Sequence, residues 1–138
     1  MKKAMTYLSI VSLLSLLFSF TLLQQPKSSK RWEVPAEYVN MKNPVKKSDE
    51  TLSLGKSMYN RHCAGCHGTK GRGDGDKLKN LVSIVPANLS LDDVSRETDG
   101  EHFYRIKIGR DNLHCFKGKL DDEAIWSIVH YMKTFTTR

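Results

Sequence analysis

The chain has 138 residues, a formal net charge of +7 and 39 % hydrophobic residues, which leaves room for one small folded domain beside one lipophilic segment. Three cysteines are too few for a disulfide framework, and no DNA- or RNA-binding motif accompanies the basic charge, so nucleic acid is not an expected partner. Without Lys2 and Lys3, which precede an apolar N-terminal run, 20 basic side chains face 15 acidic ones, a balance compatible with docking onto an acidic protein partner.

The run from Ala4 to Leu23 carries no charge and is closed by Gln24-Gln25-Pro26-Lys27. Positive charge ahead of such a run holds the N-terminus in the cytoplasm and directs the rest of the chain across the membrane. The run exceeds the usual signal-peptide core and is just long enough to span a bilayer. No Ala-x-Ala site ends it, and Ser19 and Thr21 are poor substitutes. Residues 1–23 therefore read equally as a cleaved signal peptide and as an uncleaved membrane anchor. Either reading places the domain in the periplasm or another extracytoplasmic space, soluble or tethered to the cytoplasmic membrane through residues 4–23.

Residues 24–48 are rich in Lys, Ser, Pro and Asn without a steady apolar period, as expected of a flexible linker. Trp32, Val34, Pro35 and Tyr38 are the exceptions and are suited to packing on a domain surface. The domain itself is expected over 49–138. Ser48 or Asp49 caps a helix running to about His62, with Leu52, Gly55 and Tyr59 on one side and Leu54 and Met58 beside them. A glycine inside a helix weakens it relative to alanine, and close approach of another helix is the expected reason for Gly55.

Cys63-Ala64-Gly65-Cys66-His67 comes next. Two thiols at this spacing can add across the two vinyl groups of one haem, and the adjacent imidazole then reaches the iron. A zinc site would want a second ligand pair at short spacing, and a thioredoxin-like motif would want a preceding strand. The chain supplies neither, so one covalent haem c held by Cys63 and Cys66, with His67 as axial ligand, is the expected cofactor. Gly68 to Gly75 reads as a loop turning past the haem. It lacks the Lys-Ser/Thr ending of a phosphate loop.

Asp92-Asp93 and Asp121-Asp122-Glu123 each open an expected helix, where acids favour the positive end of the dipole, and this outweighs a reading as paired catalytic carboxylates. A short helix is expected over Gly100 to Ile108, stopped by Gly109. The last helix runs from about Asp122 to about Phe135 on the stripe Ile125, Ile128, Val129 and Met132, flanked by Trp126 and Tyr131. No alternating strand-like run appears. The fold class is all-α.

Taken in order, these segments resemble the small monohaem bacterial cytochromes c, class I-like, with haem attached near the N-terminus. The resemblance covers about residues 51–135. It rests on Leu54-Gly55-Lys56, Tyr59, His62 to Gly68, Gly73-Asp74-Gly75, Gly100-Glu101 with Phe103, Ile106 and Gly109, Phe116 to Leu120, and Ile125 to Tyr131. It implies a cytochrome c-like helical domain in which the first and last helices cross, bringing Gly55 and Tyr59 against Ile128 and Tyr131. It also implies that the carbonyl of Pro86 accepts the Nδ1–H of His67, orienting the ring from behind the iron.

The chain departs from this family at the distal side of the haem. Where Gly-x-x-x-Met-Pro-x-Phe usually supplies methionine as sixth ligand, the chain reads Gly109-Arg110-Asp111-Asn112-Leu113-His114-Cys115-Phe116. Leu113 has no lone pair to offer iron. His114 is the first choice for the sixth ligand and Cys115 the alternative. An open position and a remote methionine (Met41, Met58 or Met132) also remain, whereas His62, His102 and His130 read as ordinary surface or core residues.

The function these residues imply is single-electron transfer between redox partner proteins outside the cytoplasmic membrane. Lys70, Arg72, Lys117 and Lys119 flank the haem-bearing segments and suit an acidic docking face. A binding or sensing module for a small ligand at a labile distal iron is the alternative. A peroxide- or thiol-active haem enzyme ranks third, because no acid–base partner can be identified.

Overall fold

A computed structural model describes residues 32–77, 86–91, 94, 96–109, 116 and 118–136. The apolar run 4–23 lies outside them. Within the described residues there is no β-strand, and no helix is long and apolar enough to cross a membrane. Among the described residues five helices succeed one another: α1 (Ala36–Val39), α2 (Asp49–His62), α3 (Ala64–His67), α4 (Asp99–Ile108) and α5 (Asp122–Met132).

Local signals set the helix ends. Ser48 caps α2: its Oγ accepts from the Thr51 amide at 3.3 Å, while Thr51 Oγ1 accepts from the Ser48 amide at 2.9 Å. Thr98 and Glu101 repeat the arrangement at α4, with Thr98 Oγ1 accepting at 3.2 Å and Glu101 Oε2 at 2.7 Å. The side chain of Asp121 caps α5 by accepting from the Ala124 amide at 2.7 Å. Each such cap is worth on the order of 1 kcal/mol.

Helix α5 is the centre of the domain. Ala124 through Val129 are all buried, so the helix needs apolar partners on more than one side. One side joins Phe103 of α4, with Ile125, Trp126 and Val129 forming a cluster in which the Phe103 and Trp126 rings stack at 4.0 Å. The other side presents Ile128 and Met132 to Tyr59 of α2. Ile106 and Leu120 touch both clusters and join them into one core.

The α2–α5 contact is the most extensive between helices. Gly55 makes it possible, because a Cβ there would collide with the main-chain carbonyl of Ser127 and lie 3.1 Å from Cβ of Tyr131. Tyr59, one turn on, packs its ring 5.5 Å from that of Tyr131.

The compact unit begins at Val34 and not at residue 49. The segment from Val34 to Ser48, expected as the end of a flexible linker, is a strap laid across α4 and α5. Tyr38 sits 4.7 Å from the Tyr104 ring and 6.5 Å from the Phe103 ring. Asn43 Nδ2 donates to the Trp126 carbonyl at 3.0 Å, and His130 Nε2 donates to the Val45 carbonyl at 2.7 Å. Gly100 opens the space beneath the strap, since a Cβ there would run into the Tyr38 carbonyl and Met41. The strap is held by scattered contacts, Tyr38 and Val45 packing on the core while Asn43 and His130 bond to main-chain carbonyls, which is why its sequence shows no apolar period.

Helix α5 ends at Met132, the last residue of its apolar stripe and three residues before the expected end near Phe135. The Thr134 hydroxyl donates to the Tyr131 carbonyl at 2.7 Å and competes with the continuing ladder. The chain then tightens, with the Thr134 and Phe135 amides bonding to Tyr131 and Met132 at 2.9 and 3.0 Å.

Candidate haem-attachment site

The site grows out of the junction between α2 and α3. The Cys63 amide closes α2 on the Tyr59 carbonyl at 2.8 Å, and the Cys63 carbonyl accepts from Cys66 at 3.1 Å and from His67 at 2.9 Å. Cys66 and His67 thus stand three and four residues along a helical turn from Cys63, so all three side chains share one side of it. Both thiols are free and half-buried. Burial pushes the Cys63 thiol up to about 12, with the neighbouring Cys66 adding to the effect.

The loop after His67 turns back to cover the end of this short helix. The Gly73 amide donates to the His67 carbonyl at 2.8 Å and the Gly75 amide to the Cys66 carbonyl at 3.1 Å. From α2, the buried Tyr59 hydroxyl donates to the Gly68 carbonyl at 2.9 Å. Burial, above all, raises the Tyr59 pKa, so the group stays a donor. These bonds satisfy carbonyls that a helix end leaves without partners.

His67 Nδ1 lies 3.0 Å from the carbonyl oxygen of Ala87. A carbonyl only accepts, so Nδ1 carries a proton, and in the neutral ring the lone pair is then on Nε2, the tautomer that a metal-binding imidazole needs. This corrects the expectation for Pro86. Its own carbonyl is turned to Gly73, where it lies 3.0 Å from the position a Cβ would occupy, and the acceptor is one residue later. The shift reflects how the loop is pinned. The Leu89 amide donates to the Gly71 carbonyl at 2.6 Å, and this brings the Ala87 carbonyl under the imidazole.

His114 and Cys115, the two candidates for a sixth ligand, lie outside the described residues, as do Leu113 and Lys117. Phe116, just after them, meets the ring of His62, the last residue of α2, edge-on at 5.7 Å. Met132 is committed to the core and Met41 is exposed, while Met58 packs at the core margin. His130 bonds to the strap, and His102 is buried beside Glu97, whose carboxylate is 3.6 Å away and also contacts Arg105. Lys70, Arg72 and Lys119 are exposed. Among the described residues no group of three or more His, Cys, Asp or Glu is placed to hold a metal ion.

Two thiols and a tautomer-locked imidazole on one helical turn are chemically matched to a haem bound by thioethers and one axial nitrogen. Covalent attachment of that kind distinguishes c-type cytochromes from other haem proteins, and this chain is a small cytochrome c. It belongs to the family described as cytochrome c oxidase, cbb3-type, subunit III, which matches residues 50–132. Its cofactor is accordingly covalent haem c.

Among solved structures, a chain of the reducing HAO-like protein complex of Kuenenia stuttgartiensis has 22 % identity and a TM-score of 0.58, with 78 % of this chain and 53 % of that chain covered. At that identity the likeness is one of fold, and this chain spans about half the length of its structural neighbour. No curated protein matches the sequence.

Proposed function

We propose that the protein carries single electrons between partner proteins outside the cytoplasmic membrane, using one haem held by Cys63 and Cys66 and ligated by His67. The observation that carries this reading is the His67 Nδ1 bond to Ala87 at 3.0 Å, which leaves Nε2 free of its proton on the turn that bears both thiols. Bound haem supplies a one-electron ferrous/ferric couple. The chain's part is to fix the group, set its potential and govern access. A family described by an oxidase subunit supports electron delivery more than catalysis on a substrate of the chain's own.

Covalent attachment at Cys63 and Cys66 holds orientation between turnovers. Burial of the surrounding Tyr59, Ile128 and Met132 provides the low-polarity side of the site. The Nδ1 hydrogen bond makes His67 a stronger donor to ferric iron. His114 is proposed as the sixth ligand, with Cys115 as the alternative. Either donates more strongly than methionine, so the potential lies below that of methionine-ligated relatives. Exposed Lys70, Arg72 and Lys119 suit docking to an acidic partner, in keeping with the basic composition.

Export is supported by Lys2, Lys3 and the apolar run 4–23 behind them. One specific feature favours a second reading. Leu113 stands where methionine usually closes the iron, so a weakly held sixth position would make the protein a binder of a small diatomic ligand.

Absorption spectra of both oxidation states, with and without carbon monoxide, separate the two readings. An electron carrier gives low-spin spectra in both states and little carbon monoxide binding. Avid binding by the reduced protein would establish the second reading instead.

A further inference from the structure

We infer that Asn88 is a positioning residue for His67, acting through the carbonyl of Ala87. The inference rests on the reading of His67 as the iron ligand. The Asn88 side-chain oxygen Oδ1 accepts two hydrogen bonds from Ser90, one from the amide at 2.9 Å and one from the hydroxyl at 2.7 Å. This is the turn in which an asparagine side chain takes the place of a main-chain carbonyl. It fixes the peptide on the C-terminal side of Ala87, the residue whose carbonyl meets His67 Nδ1 at 3.0 Å. On the N-terminal side, Pro86 has a ring-locked φ. The Leu89 amide clamps the same segment to Gly71 at 2.6 Å.

The acceptor of the His67 proton is therefore a loop carbonyl, with no helix or strand ladder to hold it. Its direction depends on the Asn88 turn. A carbonyl that accepts squarely from Nδ1–H raises the donor strength of Nε2 and favours ferric iron. A carbonyl free to swing away weakens the donor and favours ferrous iron. Asn88 is thus a device by which this chain tunes its potential from outside the set of groups that touch the haem.

The test uses the full chain carrying haem and two measurements: the midpoint potential and the paramagnetically shifted ring N–H signal of the axial histidine. Asn88→Ala removes both bonds from Ser90. It should shift the equilibrium toward the reduced form by about threefold to tenfold, the upper figure corresponding to about 59 mV for one electron, and should move or broaden the ring signal. Ser90→Ala removes only the hydroxyl bond and should give a smaller rise. Asn88→Asp keeps the oxygen acceptor and should keep the native ring signal, while its added negative charge acts on the potential in the opposite direction.

Native values in both Asn88→Ala and Ser90→Ala would overturn the inference, as would an Asn88→Asp potential raised as far as that of Asn88→Ala. If Asn88→Ala does not accumulate with haem, Ser90→Ala decides alone, and no upward shift there counts against the inference. An unmutated protein without an axial-histidine ring signal would contradict the ligand reading itself, before any variant is compared.

Discussion

Gly55 of α2 packs directly on the main-chain carbonyl of Ser127 in α5, with Tyr131 Cβ closing the other side. This contact sets how near the two helices come, and it brings Tyr59 onto Ile128 and Met132 one turn before the thiols. A main-chain carbonyl cannot rotate out of the way of an added methyl group. Gly55→Ala should therefore cost about 1–3 kcal/mol through overpacking, despite alanine's better helix propensity. Thermal melts of the oxidised protein check this, and an unchanged or raised midpoint would contradict the packing described.

Removal of the strap should destabilise the domain although it spares every residue matched by the family. A chain in which residues 24–47 are removed, so that Ser48 follows the N-terminal run directly, loses the Tyr38 contacts with Phe103 and Tyr104 and both strap bonds to α5. Aromatic pairs contribute roughly 0.5–1.5 kcal/mol beyond area burial, so a loss of about 2–4 kcal/mol is expected with the two hydrogen bonds added. Denaturant unfolding of the haem-loaded protein is the measurement. Equal stability of the two forms would show the strap to be a passive tether.

His102 should make stability fall in mild acid. The group is 5 % exposed, and burial first, then Lys133 and Arg105, lowers its pKa from 6.5 to about 4, against opposing contributions from Asp99 and Glu101. Glu97 does not reverse the shift, because its carboxylate is already shared with Arg105. Above pH 6.5 His102 is neutral in both folded and unfolded chains and adds no slope. Between 6.5 and about 4 the unfolded chain takes up the proton first, so stability is lost as the pH falls, by up to about 3 kcal/mol. Below about 4 this contribution is flat. Replacing His102 with Gln should flatten the curve in that window, and an unchanged slope would assign the acid sensitivity to other groups.

Much of the architecture is readable from local chemistry, and the exceptions have physical causes. Ser48 before Asp49, the glycine stop at Gly109 and the apolar stripe of α5 are short-range signals, and the helices obey them closely. Gly55 is legible because a glycine inside an amphipathic helix needs a reason. The strap is legible only in part: Tyr38 is suited to packing on the domain and does so, whereas Asn43 and Val45 meet partners more than eighty residues away through bonds that leave no local pattern. The site shows the same division. Cys63, Cys66 and His67 stand together by helical spacing alone, whereas the acceptor behind His67 depends on how the 86–90 loop is pinned to Gly71, and so falls on Ala87 and not on Pro86. The early end of α5 has a similarly local reason, a Thr134 hydroxyl that takes the Tyr131 carbonyl.

The sixth ligand yields to substitution. Leu113 cannot bind iron, so the weak ferric band at the red end of the spectrum that marks methionine coordination should be absent. Leu113→Met combined with His114→Pro should create that band and raise the potential. His114→Ala should convert a low-spin ferric haem into a high-spin one, while Cys115→Ala should leave the spin state as it was. An unchanged electron-spin resonance signal in His114→Ala would remove His114 from the site and leave Cys115 as the next choice.

Covalent attachment of one haem by Cys63 and Cys66 is open to intact-protein mass spectrometry after extraction with acidified organic solvent. The unmutated chain should retain the mass of one haem through extraction. The chain with both cysteines replaced by Ala should retain none. Haem released from the unmutated protein by the solvent, or retained by the double variant, would contradict it.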